Sequence, residues 1–136
     1  MNVKRFIAAV LFAFVFIFAF QWLYHGVLLM DTYKATPNLW RPMDPNAAST
    51  IYCYFMMISE FFMAFMLTFI FTRNYEGKGM GEGLRYGLYV GLLLAAIDLG
   101  KYAYMPVAFP LVASWMLGSL AVGMGAGLVI AAIYRA

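Results

Sequence analysis

Six polar side chains sit inside strongly apolar stretches of this sequence: Gln21, His25, Glu60, Asp98, Lys101 and Tyr102. Gln21 and His25 are four residues apart, so on a helix they share a face, and Asp98 and Lys101, three apart, do the same. A charged group in a membrane span costs several kcal/mol unless it is paired, hydrated or neutralised, and it marks a functional site by default. Two readings of the set stand side by side. One is a structural salt-bridge network, with Lys101 pairing Asp98 locally or Glu60 across helices, or reaching out to the interface. The other is a polar cavity that binds a ligand or passes protons or ions. One His, one Asp and one Glu could also ligate a divalent ion. However, the Glu-x-x-His spacing of di-iron bundles is absent, and the Lys101 ammonium would repel a cation. Neither a metal nor a cofactor is expected.

Signatures of catalysis are missing. There is no nucleophile elbow, no His-Glu-x-x-His and no carboxylate pair at a recognisable catalytic spacing. The glycine-rich run from Gly77 to Gly83 lacks the spacing of a phosphate-binding loop and reads as a flexible turn. The methionines around Met56 and Met63 read as core filling. Cys53 stands alone, which excludes an intramolecular disulfide. A non-enzymatic protein is the expectation.

The elements that must position these residues follow from composition. The chain of 136 residues is 65% hydrophobic and 11% charged, against about 25% charged residues in a soluble domain. Its net charge of +3 is small, which suits lipid headgroups rather than nucleic acid. Four apolar stretches, residues 6–30, 48–72, 84–105 and 111–134, each exceed the ~20 residues needed to span a bilayer. The expected fold is an all-α, four-helix transmembrane bundle forming one domain over residues 1–136. Lys4 and Arg5 before the first apolar run resemble a signal peptide, but Phe20, Gln21 and Trp22 occupy the place of a cleavage site. The run therefore reads as an uncleaved spanning anchor. Asp44 and Pro45 read as an N-cap and first helical residue. Trp22, Tyr24, Tyr33 and Trp40 read as an interfacial aromatic belt. Lys4, Arg5, Arg73, Lys78, Arg85 and Arg135 fall on the side of the N-terminus, against Lys34, Arg41 and Lys101 opposite. The positive-inside rule then puts both termini in the cytoplasm.

Small residues mark the expected helix contacts. In the third span Gly83, Gly87, Gly91 and Ala95 recur every four residues, as do Ser119, Gly123, Gly127 and Ala131 in the fourth. Such spacing lets two backbones approach closely, so these spans are expected to pack on one another. Asp98 falls on the same face as Gly87, Gly91 and Ala95, which turns it into the bundle, at a depth where His25, Glu60 and Lys101 could meet it. The fourth span has a second small face, Ser114, Gly118, Ala121, Gly125 and Ala132. A helix small on both sides is either central in the bundle or touches a second copy, so a homo-oligomer or larger complex through this face is expected.

The run Tyr24-His25-Gly26-Val27-Leu28-Leu29, then Tyr33 and Leu39-Trp40-Arg41-Pro42, resembles a family of small uncharacterised bacterial four-helix membrane proteins. So does Tyr75-Glu76-Gly77-Lys78-Gly79 with Glu82-Gly83-Leu84-Arg85-Tyr86-Gly87-Leu88. The layout is also distantly similar to the DUF1761-type membrane families. The resemblance implies a multi-pass protein of the bacterial cytoplasmic (inner) membrane and no particular activity. Two functions are expected from these readings together. One is a non-enzymatic accessory or assembling subunit with a buried polar network. The alternative is a small carrier or channel whose pathway passes His25, Glu60, Asp98 and Lys101.

Overall fold

A computed structural model describes residues 2–41 and 51–134. Its elements are α1 (Val3–Leu23), continued by a π-helical turn (Tyr24–Leu28), a short α2 (Met30–Lys34), a 3-10 turn (Pro37–Leu39), then α3 (Ile51–Arg73), α4 (Met80–Lys101) and α5 (Phe109–Ile133). Four segments are long and apolar enough to cross a membrane: Val3–Leu28, Ile51–Arg73, Met80–Lys101 and Phe109–Ile133. With 22 to 26 residues each, they reach about 33–39 Å at 1.5 Å per residue, enough for a hydrocarbon core of ~30 Å. The chain is a small multi-pass membrane protein.

The helix ends differ from the apolar boundaries for local reasons. α1 begins at Val3 because the Asn2 side chain accepts the Arg5 N–H at 3.2 Å, an N-cap that hydropathy does not register. α4 begins at Met80, right after Gly79, whose φ of 67° suits a residue without a Cβ. It ends at Lys101 rather than 105, where a turn leads to Pro106. α5 takes Pro110 into its first turn, where a missing N–H costs nothing. The expected helix start at Asp44 and Pro45, the residues 48–50 of the second apolar stretch, Pro42 and Arg135 lie outside the described residues.

α5 is the element that α4, α1 and α3 all touch. Its antiparallel contact with α4 is made backbone to backbone. A Cβ added at Gly87 would lie 2.8 Å from the Met124 Cα, and one at Gly91 2.9 Å from the Leu120 Cα, closer than real carbon atoms come. Gly83 lies in the same way against Gly127 and Ala131. In lipid, where apolar burial gives little drive between helices, this close approach is what dispersion forces require. The other small face of α5 is occupied within the chain at its two glycines, while Ala121 is exposed. Side chains at Gly118 and Gly125 would run into the rings of Tyr24 and Phe16. Phe16, Phe20 and Tyr24 follow one another at four-residue steps on α1, with Phe20 stacked on Tyr24 at 5.5 Å. An aromatic ridge on α1 thus fills the groove at these α5 glycines.

The main core joins Ala9, Ala13 and Ile17 of α1, Ala64, Leu67 and Phe71 of α3, and Val122, Ala126 and Ile130 of α5. A smaller cluster lies at one end, where Val107, Leu111, Val112 and Trp115 meet Leu29, Tyr33, Leu39 and Trp40. At the other end the Asn2 N–H donates to the Tyr134 hydroxyl at 3.3 Å, and the Tyr75 and Tyr134 rings meet edge to face at 5.3 Å. The described chain ends and the α3–α4 turn therefore share one end of the bundle.

Candidate functional site

A cavity of about 310 Å³ opens at the end opposite Asn2 and Tyr134, between α1, the α2 region, α4 and α5. Of the six polar residues read from the sequence, Gln21, His25, Asp98 and Lys101 line it. Tyr102 does not. It is 49% exposed, and its ring packs edge to face on Phe109. Glu60 does not line it either. The neighbouring Phe61 ring packs on Phe14 at 5.6 Å, eleven residues before His25, or about 16 Å lower along α1 at 1.5 Å per residue. The structure thus separates Glu60 from the group it was expected to join, because the pairing of α1 with α3 sets its level and no pattern within one helix reveals that pairing.

The floor of the cavity is an ion pair. Lys101 Nζ lies 2.6 Å from Asp98 Oδ1, so the lysine takes the local partner three residues away. The Ser119 hydroxyl donates to the other carboxylate oxygen. A Cα–Cβ bond tilts toward the N-terminus of its own helix. In this antiparallel pair Asp98 therefore leans toward the middle of the bundle and Ser119 toward the cavity end, and the two side chains meet. Asp98 is 7% exposed, whereas Lys101 is about one-third exposed and also sits 5.5 Å over the Trp115 ring. The carboxylate is locked in place while the ammonium faces the cavity.

The wall opposite is aromatic. After the π turn, which closes with the Leu29 N–H on the Tyr24 carbonyl at 3.0 Å, the chain folds back over the bundle end. π turns of this kind recur at functional sites. The Trp115 Nε1–H donates to the Tyr33 hydroxyl at 2.9 Å, and that hydroxyl lies 2.6 Å from His25 Nδ1. With its oxygen accepting from Trp115, Tyr33 is assigned as the donor to His25 Nδ1. This assignment leaves the ring proton of a neutral His25 on Nε2. Burial pushes the Tyr33 phenol up from the usual tyrosine range, against a smaller opposite effect of the Trp115 hydrogen bond, so Tyr33 remains a donor at neutral pH. Trp40 closes this side, its ring 5.0 Å from Tyr33 and 6.3 Å from Trp115. Its Nε1–H is held by Thr36 Oγ1 at 3.0 Å. Tyr24 donates to the Ser114 carbonyl at 2.6 Å.

Three of the four aromatics read as an interfacial belt are therefore turned onto the bundle, Tyr24 and Tyr33 by hydrogen bonds to α5 and Trp40 by its ring contacts with Tyr33 and Trp115. Trp22 alone of the four, 64% exposed, faces outward. Tyr33, Trp40, Trp115 and Ser119 were not read as site residues from the sequence. A signal existed for two of them. Trp115 stands four residues before Ser119 at the head of the small-residue stripe, and the hydroxyl of Ser119 interrupts a series of glycines and alanines.

At the opposite end Glu82, 5% exposed, accepts the backbone N–H groups of Glu76 at 2.7 Å and Lys78 at 2.8 Å. Glu76 bridges Lys78 at 2.6 Å and Arg85 at 2.9 Å. The α3–α4 turn is thus tied down by two carboxylates rather than left loose. Among the described residues no three or more His, Cys, Asp or Glu side chains gather where they could hold a metal ion.

Four long apolar helices make this a small four-helix membrane protein, and comparison with protein families, characterised proteins and solved structures finds no match that would place it in a family.

Proposed function

We propose that the chain is a non-enzymatic accessory protein of the bacterial cytoplasmic membrane whose outer end carries a pocket for a small polar molecule or ion. The cavity carries this reading. At about 310 Å³ it lies at the small end of ligand sites. Its lining joins an ammonium, a carboxylate, an imidazole and an amide to three aromatic walls, Tyr33, Trp40 and Trp115. Those rings give the reading a direct test. Trp fluorescence of the purified protein, titrated with small ammonium, carboxylate and phosphate solutes, should change saturably with at least one class. The change should be lost in Asp98→Asn and Lys101→Met. A flat response to all three classes overturns the pocket.

The orientation that goes with this reading rests on charge. Lys4, Arg5, Arg73, Lys78 and Arg85 lie toward the end where Asn2 meets Tyr134. Lys34, Arg41 and Lys101 lie toward the cavity end. Short segments rich in Lys and Arg stay in the cytoplasm, so the cavity faces outward. Cysteine labelling at position 38 from outside intact cells tests this, and labelling only after permeabilisation reverses it. The accessory role predicts a co-purifying partner or a second copy. Protein that stays strictly monomeric and unaccompanied in mild detergent counts against it.

A carrier is the second reading, favoured by the position of the cavity in one half of the membrane with Glu60 deeper in the bundle. Proteoliposome flux of an ion or small solute that is unchanged by Asp98→Asn and Glu60→Gln overturns it.

A further inference from the structure

Glu60 lies on the inward face of α3. With Ala64, Leu67 and Phe71 it follows steps of four, three and four residues, so the four share one side of the helix, and the other three are buried in the core. Its Oε2 is buried and, among the described residues, has no hydrogen-bond partner. The charged and titratable groups of the surrounding helices are engaged or remote. On α1, Lys4 and Arg5 stand at one end and Tyr24 and His25 at the other, while Ala13, Phe14 and Ile17 occupy the level between. α5 has no charged residue between Phe109 and Ile133. On α4, Tyr86 donates to the Leu67 carbonyl, Arg85 pairs with Glu76, Glu82 holds the turn, and Asp98 holds Lys101 and Ser119. On α3 itself Arg73 lies over the Phe69 ring and Arg41 over the Tyr52 ring, while Cys53 and Tyr54 stand about two turns before Glu60.

The backbone adds a second constraint. The middle of a helix has no free N–H to offer, because each is bonded to the carbonyl four residues back. What it can offer is a second lone pair on those carbonyls. α3 uses this twice, with Thr68 Oγ1 donating to the Ala64 carbonyl at 2.8 Å and Thr72 Oγ1 to the Phe69 carbonyl at 2.9 Å. An ionised carboxylate only accepts, whereas a carboxylic acid has an O–H to donate. A surrounding of acceptors and apolar side chains can satisfy the acid and cannot satisfy the anion, and an unpaired charge at this depth is heavily penalised. We propose that Glu60 is a proton-binding site in the middle of the bundle, held as the neutral acid at neutral pH and separate from the outer cavity.

Dicyclohexylcarbodiimide tests this, because it enters membranes and reacts with protonated carboxyls. The acid proton moves to one carbodiimide nitrogen and the carboxylate oxygen bonds to the central carbon. The acyl group then migrates to nitrogen, giving a stable N-acylurea with no group lost. In native membranes at neutral pH, peptide mass spectrometry should find the adduct on Glu60. Glu60→Gln should abolish that adduct and Asp98→Asn should leave it unchanged. A water-soluble carbodiimide should leave Glu60 unmodified. Glu60→Gln, which mimics the neutral acid, should also keep the melting temperature of the wild type. An unmodified Glu60 in the wild type, or a Glu60→Gln protein with a clearly lower melting temperature, overturns the proposal.

Discussion

The Ser119 hydroxyl of α5 donates to Oδ2 of Asp98 on α4, at the cavity end of the contact where the two backbones run closest. One hydrogen bond thereby links the packing stripe to the cavity, since Oδ1 of the same carboxylate holds Lys101. Interhelical hydrogen bonds in membranes are worth about 0.6–2 kcal/mol. Ser119→Ala should therefore cost stability in that range, measured by denaturant titration in detergent. Asp98→Ala should cost more, because it strands the Lys101 ammonium. The double variant should show non-additivity, as expected of groups in direct contact. Strict additivity would mean that the hydroxyl and the carboxylate act independently.

Glycines separate close packing from mere flexibility. Gly87→Val would push a side chain into the Gly123 carbonyl and the Met124 Cα, and neither backbone can yield without parting α4 from α5. A cost of about 1–3 kcal/mol follows for overpacking of this kind. At Gly81 a Cβ meets nothing within 4 Å. Gly81→Ala, in the first turn of α4, should be neutral or stabilising by up to ~1 kcal/mol through its helix propensity. Thermal unfolding of the two variants side by side reads the contrast.

What the sequence could reveal depended on whether the information lay within one helix. Length and apolarity set the four spans, and a four-residue spacing such as Gly83, Gly87 and Gly91 belongs to a single helix face. The level of Glu60 does not belong to one helix. It depends on how α1 and α3 slide past each other, which Phe14 and Phe61 fix by packing. Tyr33 and Trp40 read equally well as interfacial anchors, since the same residue types serve both ends. What turns them inward is Trp115, 82 residues beyond Tyr33 in the chain, whose N–H finds the Tyr33 hydroxyl. Glu82 was hidden for another reason: its partners are backbone N–H groups, which carry no sequence signature.

The Tyr33 hydroxyl serves two neighbours at once, so its removal is informative. Tyr33→Phe keeps the ring stacked on His25 but leaves the Trp115 N–H without its acceptor. A buried donor left unpaired costs about 1–3 kcal/mol. The loss should fall at the lower end, because the cavity lets water reach the site. Trp emission should shift, and any ligand response of the cavity should weaken with His25 no longer held. Trp115→Phe with Tyr33 intact should spare the His25 contact and give a smaller loss of ligand response. Equal losses in both variants would argue against His25 as the group that matters.

Acid should loosen the α3–α4 turn before the rest of the bundle. Hydrogen bonds from Lys78 and Arg85 hold the Glu76 carboxyl below its ordinary value of 4.5. A carboxyl lowered by folding stabilises the folded turn above its unfolded value, and that contribution disappears as pH falls through the lowered one. The turn should therefore keep its protection at neutral pH and lose it as the pH falls below 4.5. The effect should be modest and weaken with added salt, because the three side chains are exposed. Amide exchange at residues 75–79 measures it, and Glu76→Gln should remove most of the pH dependence. Glu82→Ala should instead speed exchange at every pH, since the N–H groups of Glu76 and Lys78 then lose their acceptor altogether. If Glu76→Gln leaves the acid response of the turn intact, the ion pairs around Glu76 are not what holds it.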